Sequence, residues 1–352
     1  MTIRVVQWTT GNVGQRSVRA IVHNPDLELV GCFAWSPEKV GRDAGELCGI
    51  APIGVTATGD VDALLALRPD CVVYNPMWPD TDELVRILEA GVNVVTTAAF
   101  ITGTGLGPGR DRIADACARG RVSILGTGIN PGFAELLAIT IAGICDRVDK
   151  ITINEAADTT LYDSPDTERP AGFGRPIDDP DLPAMTAHGT AVFAEAVALV
   201  ADALGVELDE IVCEPEYART TADLDLGSWS IAAGCVAGIA ASWQGRIAGR
   251  TVVELNVRWK KGTTLDPDWV IQDGYTIQID GRPTVHTRLD LLPPPDFEAK
   301  TFADFMVLGM IITTMPAINA IPLVVAAPPG IVTYNDLQMP LPRHTVELAP
   351  RS

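Results

Sequence analysis

Residues 7–21, QWTTGNVGQRSVRAI, follow the apolar opening IRVV and decide how the chain begins to fold. The β-branched run before them predicts a strand, and apolar residues at helical spacing after Gly14 predict a helix. At such a junction a dinucleotide-binding turn has the pattern G-x-G-x-x-G. Gly11 and Gly14 are in register with that pattern, whereas Thr9 stands where the first glycine is expected. The stretch therefore predicts a cofactor turn, and a purely structural tight turn is the alternative.

The same order of strand and helix recurs as far as residue 127. After the first strand and helix, the expected strands are 27–35, 70–75, 92–97 and 121–127, and the expected helices include 60–67, 80–91 and 109–120. Strands that alternate with helices predict an α/β fold with a parallel sheet and right-handed crossovers. We therefore expect a Rossmann-type dinucleotide-binding domain over 1–130.

A different pattern begins after residue 130 and predicts a second domain over 131–299. The expected elements are a helix at 134–146, an antiparallel strand at 150–158, a long loop at 159–185, a helix at 187–205 and several strand-like runs. This predicts an α+β domain with a mostly antiparallel open sheet, which would bind substrate and mediate dimerisation. The C-terminal helix and tail, 300–352, are expected to pack back near the first domain, with the Pro-rich tail as a surface strap.

Composition excludes several classes of partner. The chain has 352 residues, 47% of them hydrophobic, with a formal charge of −19 and a pI near 4.5. That charge repels nucleic acids and anionic membranes, so a small-molecule substrate is expected instead. The seven cysteines are scattered singly, which favours reduced thiols over disulfides or a metal site. No leader or membrane span is expected, and the protein is predicted to be soluble and cytoplasmic.

The end of the second strand bears on the choice of dinucleotide. An NAD site usually places an acidic residue there, about 20 residues beyond the glycines. This chain has Trp35 and Ser36 instead, with Lys39 and Arg42 close behind. A hydroxyl and two cations favour NADP, with NAD still possible. The alternative is that the two cations are solvated loop charges and that Trp35 only stacks on adenine.

The candidate cofactor residues lie in the first turn and at the ends of later strands. They are Thr9, Thr10, Gly11, Asn12, Val13, Gly14, Trp35, Ser36, Lys39, Asn75, Thr97, Asn130 and Pro131.

Three residues are candidates for catalysis. Asn130 follows the sixth strand and could bind the nicotinamide amide or the substrate, with Pro131 in the first turn of the next helix; the alternative is that Asn130 caps that helix. Tyr162 is a phenol in the long loop, and so either a proton donor or a packing residue. His188 is expected at a helix N-terminus, where a neutral imidazole could polarise an oxygen or simply cap the helix.

Four motifs give the chain a family resemblance. They are TTGNVGQRS (9–17), KVGRDAGELCG (39–49), GTGINPGF (126–133) and MPAINAIPLVVAAPPGIV (315–332). As a set they resemble the dihydrodipicolinate-reductase-like superfamily, and within it the 2,4-diaminopentanoate dehydrogenase and native amine dehydrogenase group. The resemblance implies a Rossmann domain, an NAD(P)H cofactor, usually a homodimer, and hydride transfer at a carbon that bears an amine or a carbonyl. It also implies that Phe173 and Gly174 belong to a loop that shapes the substrate pocket.

Two departures from that group are visible. The parent reductases have a glycine where Trp8 stands, and the amine dehydrogenases have a glutamate just after the fifth strand, where this chain reads VVTTAAF with Ala98 and Ala99. We therefore expect an NAD(P)H-dependent oxidoreductase acting on a hydrophobic carbonyl, alcohol or imine. Reductive amination with ammonia and a non-catalytic NAD(P)-binding sensor are the alternatives.

Overall fold

A computed structural model describes residues 2–162, 164–295, 297–298 and 302–345. The chain divides into two compact units. The first unit comprises Met1–Phe133 and Gly309–Ser352, and the second comprises Ala134–Leu308.

The helices and strands follow one another in this order. Residues 1–133 form β1 (Ile3–Trp8), α1 (Asn12–His23), β2 (Leu27–Phe33), α2 (Ala44–Leu47), β3 (Ala57–Thr58), α3 (Val61–Ala66), β4 (Cys71–Tyr74), α4 (Thr81–Glu89), β5 (Asn93–Thr96), α5 (Pro108–Gly120) and β6 (Ser123–Gly126). Residues 134–308 form α6 (Ala134–Ala142), β7 (Arg147–Asp158), α7 (Pro165–Ala171), α8 (Leu182–Gly189), α9 (Val192–Ala203), β8 (Glu210–Thr220), β9 (Leu224–Asp225), β10 (Ser230–Ile231), β11 (Val236–Ile247), β12 (Arg250–Lys260), β13 (Leu265–Asp266), β14 (Gly274–Arg282) and β15 (Val285–Leu289). The chain continues with α10 (Phe302–Ala326) and β16 (Gly330–Val332).

The first unit is built on a parallel seven-stranded sheet. Its strand order is β16-β6-β5-β4-β1-β2-β3, and every pair in it is parallel. The order 3-2-1-4-5-6 is that of a Rossmann fold, so the predicted fold class is confirmed. In such a sheet, ligands bind beyond the carboxyl ends of the strands, where β1 and β4 lie side by side.

The tail does not behave as a surface strap throughout. Residues 330–332 form β16 and pair in parallel with β6, so that Ile331 lies opposite Ile124. The expectation of a strap is wrong for this segment, because a short β-forming run after the prolines adds a strand to the sheet.

The C-terminal helix contributes to the core of the first unit. Over Met306–Ala326, α10 is long and apolar enough to cross a membrane by length and composition, a test that core helices of soluble proteins also pass. The buried residues of its first-unit part include Thr314, Ala317, Ile318, Ala320, Ile321 and Val324. The Ser123 hydroxyl donates to the Val324 carbonyl at 2.6 Å.

The second unit is built on a mixed seven-stranded sheet with the order β13-β8-β11-β12-β7-β14-β15. All of its pairs are antiparallel except β7 with β12, which are parallel. The mostly antiparallel sheet is thus confirmed, whereas an all-antiparallel setting for β7 is wrong. Nearly a hundred residues separate β7 from β12, which is ample for a parallel crossover. Helices α6 and α9 pack against this sheet.

The segment expected as a long loop contains helical structure. Residues 159–185 carry α7 and the start of α8, and the helix expected at 187–205 begins only at Val192. The break between α8 and α9 bends the chain by 56°. It falls where Gly189 packs against the backbone of Ala171, and where Thr190 donates to the Thr186 carbonyl at 2.6 Å while accepting from Trp243 at 3.1 Å.

Candidate active site

Thr9 opens the turn after β1 in a conformation that suits glycine. Its φ is +73°, in the left-handed region that a β-branched residue rarely adopts. The Gln7 side-chain amide donates to the Thr9 carbonyl at 2.9 Å and holds it in place. Thr9 therefore occupies the backbone role of the first glycine in the dinucleotide pattern.

The two glycines of the turn serve different purposes. A Cβ on Gly14 would stand 2.4 Å from the Thr9 carbonyl oxygen, so only glycine lets α1 pack this close to the turn. A Cβ on Gly11 would meet no described atom within 4 Å beyond its chain neighbours. Gly11 therefore borders open space directly at the N-terminus of α1.

That N-terminus has the properties of an anion site. No described side chain caps α1, so its first N–H groups remain available at the positive end of the helix dipole. The Thr10 hydroxyl is buried and has no hydrogen-bond partner in the part of the chain that the structure describes. Open space, free backbone donors and an unsatisfied hydroxyl together fit the diphosphate of a dinucleotide.

A polar network lies beneath the turn, at the ends of β1, β4 and β5. The Gln7 amide donates to Asn75 Oδ1 at 2.7 Å, and the Asn75 amide donates to Thr97 Oγ1 at 2.8 Å. The Ser17 hydroxyl donates to Asn75 Oδ1 at 3.0 Å. The network brings together two predicted residues, Asn75 and Thr97, and adds Gln7 and Ser17, which the sequence analysis missed. A polar residue within an otherwise apolar buried strand was the signal for Gln7.

Trp8, which replaces a family glycine, does not obstruct the turn. Its side chain is fully buried and stacks on Phe33 with ring centroids 4.3 Å apart. The indole N–H donates to Glu83 at 3.3 Å, and the Tyr74 hydroxyl donates to the same carboxylate at 2.8 Å. Side chains alternate along a strand, so Gln7 and Trp8 point to opposite faces of the sheet. The hydrophobic core of the first unit therefore accommodates the large Trp8 side chain.

The end of β2 carries both signs of charge. Trp35 is 60% exposed and lies edge-on to Phe33, and the Lys39 ammonium donates to the Thr10 carbonyl at 3.3 Å. The Ser36 hydroxyl donates to Glu38 at 2.5 Å, and this hydrogen bond lowers the pKa of Glu38. Only the hydroxyl and the cations were predicted to act here. The structure adds a carboxylate beside Ser36.

The end of β5 is apolar. Ala98 and Phe100 are buried in the core of the first unit, and Ala99 is half-buried, with its N–H donating to the Met77 carbonyl at 3.3 Å. Ala99 is therefore the more open of the two alanines that stand where the amine dehydrogenase group has glutamate.

Asn130 and Pro131 lie in an irregular segment rather than in a helix. Asn130 has φ −155° and ψ 115°, Pro131 has φ −77° and ψ 153°, and α6 begins only at Ala134. The expectations that Pro131 opens the helix and that Asn130 caps it are therefore wrong. Nearby, Thr127 and Tyr334 share a hydrogen bond of 2.6 Å.

In the second unit, a lysine that the sequence analysis missed organises the chain after β7. The Lys261 ammonium is fully buried and pairs with Glu168 at 2.6 Å. It also donates to the carbonyls of Thr159 at 2.7 Å and Tyr162 at 3.0 Å. The only sign of Lys261 in the sequence was a cation directly after a run of β-forming residues.

The two remaining catalytic candidates differ in their surroundings. Burial is the largest cause that raises the pKa of the Tyr162 phenol, and Ser164 and Thr167 lower it. His188 is exposed and lies in the last turn of α8. The expectation of a helix N-terminus for His188 is wrong, because the helix starts at Leu182 with a proline in its first turn.

A second set of polar side chains lies on the helix-covered face of the second-unit sheet. Glu155 accepts hydrogen bonds from Trp259 at 2.7 Å and from the Tyr275 hydroxyl at 3.1 Å. Burial, and then Glu155, raise the pKa of Tyr275 well above its usual value. Phe173 is buried in the core, with the Lys261 ammonium 5.8 Å from its ring centroid.

Comparisons with known proteins identify the family of the chain. Residues 133–347 match the model of the 2,4-diaminopentanoate dehydrogenase C-terminal domain, and residues 4–104 match that of the dihydrodipicolinate reductase N-terminus. An amine dehydrogenase of Streptomyces virginiae is 30% identical over 96% of this chain and 96% of its own length.

Solved structures agree as well. The amine dehydrogenase of Mycobacterium smegmatis covers 98% of both chains with a TM-score of 0.81 at 19% identity. The scyllo-inositol dehydrogenase of Lactobacillus casei, solved with NAD(H) and scyllo-inositol, covers 92% of this chain and 89% of its own with a TM-score of 0.54 at 13% identity. On the family match over more than half of its length and on the full-length relative, the chain belongs to the 2,4-diaminopentanoate dehydrogenase family of oxidoreductases.

Proposed function

We propose that the protein transfers hydride between a nicotinamide dinucleotide and a hydrophobic carbonyl or alcohol carbon. The observation that carries this choice is the apolar end of β5, where Ala98 is buried and Ala99 is half-buried. Reduction of a carbonyl needs a donor to its oxygen, whereas an amine route also needs a group that manages the protons of the nitrogen. Residues 97–100, TAAF, contain no such group.

The turn after β1 would hold the dinucleotide. Gly11 and the first N–H groups of α1 would bind the diphosphate, Thr10 would add its hydroxyl, and Asn75 with Thr97 would line the ends of β4 and β5. When bound, the nicotinamide supplies or accepts the hydride. Among the two dinucleotides we propose a preference for NADP, supported by Lys39 beside the turn.

Tyr162 is the proposed proton donor to the substrate oxygen. The phenol is protonated at neutral pH, since burial raises a pKa that is already alkaline, and Lys261 donates to the Tyr162 backbone carbonyl. Asn130 is the proposed hydrogen-bonding partner of the nicotinamide amide or the substrate. His188 remains a candidate because its imidazole is exposed, although it does not lie at a helix N-terminus.

We further propose that the protein acts as a homodimer in the cytoplasm. The family resemblance supports the dimer. The seven cysteines are free thiols, which is the usual state in a reducing compartment.

Reductive amination is the second candidate, because the curated relative that spans the chain is an amine dehydrogenase. The test is NADPH and NADH oxidation by the purified full-length protein with a panel of hydrophobic aldehydes and ketones, with and without ammonia. Turnover that does not need ammonia supports carbonyl reduction. Turnover that appears only with ammonia overturns it in favour of amination, and tight binding of dinucleotide without any turnover favours a sensor.

A further inference from the structure

Three cations of the first unit lie close enough to the buried thiol of Cys48 to act on it electrostatically. Arg19, Lys39 and Arg16 all act electrostatically on this thiol, yet burial raises its pKa to about 11. The thiol is therefore neutral at physiological pH and balances none of the three positive charges. In a chain with a net charge of −19, a group of three cations is unusual.

The polar groups nearest to these charges already have hydrogen-bond partners. Arg19 donates from Nε to the Cys48 carbonyl at 2.7 Å and from Nη2 to the Gly49 carbonyl at 3.3 Å. The carboxylate of Asp43, which also acts on Cys48, accepts backbone N–H groups at 2.7 Å from Gly45 and 2.8 Å from Gly54. The Asp43 carboxylate thus makes these hydrogen bonds within the loop around α2.

Arg16 is the cation of this cluster that has no bond of its own. It is half-buried and makes no hydrogen bond or ion pair with any residue that the structure describes. Burial, and then repulsion from Arg19, lower its pKa. Burial and like-charge repulsion both penalise a charged guanidinium that has no anionic partner, and a bound anion reduces both penalties.

The position of Arg16 directs it towards the cofactor turn. It precedes Arg19 by three residues and so lies on the same face of α1, one turn closer to the N-terminus. Side chains on a helix lean towards its N-terminus. At that end, the Lys39 ammonium donates to the Thr10 carbonyl. By this helix geometry the Arg16 side chain leads towards the space between the turn and the end of β2, which Lys39 borders and where the adenosine ribose lies in a Rossmann fold.

We infer that Arg16 selects dinucleotides that carry a 2′-phosphate, acting with Lys39 against the opposing carboxylate of Glu38. A guanidinium binds a phosphate through two parallel hydrogen bonds, which a single ammonium cannot do. This inference rests on the proposed NADP-dependent function and assigns its specificity to a residue on α1 rather than to the β2 end alone.

The test measures the Kd of NADPH and of NADH by fluorescence for the full-length protein and for Arg16→Gln. We expect Arg16→Gln to weaken NADPH binding by about tenfold to a hundredfold, the usual effect of losing a hydrogen bond to a charged group, and to leave NADH binding unchanged. Glu38→Gln should strengthen NADPH binding. Arg112→Gln, which removes the same charge from an exposed pair with Asp82, is the matched control and should change neither value.

Each outcome separates the two proposals. If the unchanged protein binds neither dinucleotide, the proposed function fails. If it binds both and Arg16→Gln weakens both equally or neither, the assignment of Arg16 is overturned while the function stands. If Arg16→Gln does not fold, competition against bound NADPH on the unchanged protein decides: adenosine 2′,5′-bisphosphate must compete better than adenosine 5′-monophosphate, and equal competition rejects the inference.

Discussion

The Cα of Gly14 faces the backbone carbonyl of Thr9 so closely that a Cβ would stand 2.4 Å from its oxygen, whereas Gly11, three residues earlier, faces open space. Close packing therefore requires a glycine at position 14, whereas the open space at Gly11 is available to the ligand.

This difference predicts that two alanine substitutions change different properties, one mainly the stability of the fold and the other mainly dinucleotide binding. Gly14→Ala should destabilise the protein, by about 1–3 kcal/mol as is usual for overpacking. Gly11→Ala should cost less in the free energy of unfolding, about the few tenths to 1 kcal/mol of a poorer N-cap, since its φ of −73° suits alanine, but should weaken dinucleotide binding. Urea unfolding and NADPH titration of both variants check this. Full NADPH affinity in Gly11→Ala would contradict the assignment of the open space to the diphosphate.

Ala99→Glu restores a carboxylate at the end of β5. Because Ala99 is the half-buried member of its pair, the glutamate has room there, and we expect ammonia-dependent oxidation of NADPH to rise above that of the unchanged protein. The matched variant Ala98→Glu places the charge in the buried core and should mainly destabilise the protein. Equal amination rates in Ala99→Glu and the unchanged protein would show that this position does not control the chemistry.

Tyr162→Phe removes only the phenolic oxygen. If Tyr162 donates the proton, kcat should fall by about 10²–10⁴-fold with little change in KM. The raised pKa of Tyr162 means that the alkaline loss of activity due to this group lies above the usual phenol value of about 10.

Tyr217→Phe is the control for Tyr162→Phe, because Tyr217 is a second-unit phenol that donates to Thr186 at 2.9 Å. An unchanged kcat in Tyr162→Phe, with a loss in His188→Ala, would transfer the donor role to His188.

Lys261→Met breaks a buried ion pair and removes the ammonium beside the Glu168 carboxylate. We expect a loss of about 3–5 kcal/mol in the free energy of unfolding. The double variant Lys261→Met with Glu168→Gln should recover much of that loss, since the buried charge is gone. Urea unfolding measures both. A single variant as stable as the unchanged protein would mean that the pair does not anchor the segment around Tyr162.

Asp43 links the stability of the first unit to pH. Burial alone would raise its pKa, but hydrogen bonds from four backbone N–H groups outweigh burial and lower it. A lowered folded-state pKa stabilises the fold above the unfolded value of about 3.9, and this stabilisation disappears as the pH falls through the folded value. Asp43→Ala should therefore cost about 1 kcal/mol at neutral pH and progressively less below pH 4, measured by thermal unfolding across pH.

The sequence predicted the parallel sheet and its cofactor turn because strand periodicity, helix periodicity and glycine spacing are all local signals. It could not predict that Trp8 turns into the core, since this depends on Phe33 lying beside it on β2 and on Glu83 of α4 reaching its indole. The position of His188 was missed because the apolar pattern continues through the bend after Gly189, where packing against Ala171 interrupts the helix. Lys261 was missed because its partners lie about a hundred residues earlier in the chain.

The pairing of β16 with β6 also has a consequence for biosynthesis. Residues 123–126 leave the ribosome some two hundred residues before residues 330–332, so β6 has an unsatisfied edge while the whole intervening segment is being made. An exposed edge strand can pair with other chains. A nascent or truncated polypeptide that ends before residue 330 thus exposes the edge of β6 to other chains, and synthesis of residues 330–332 covers it.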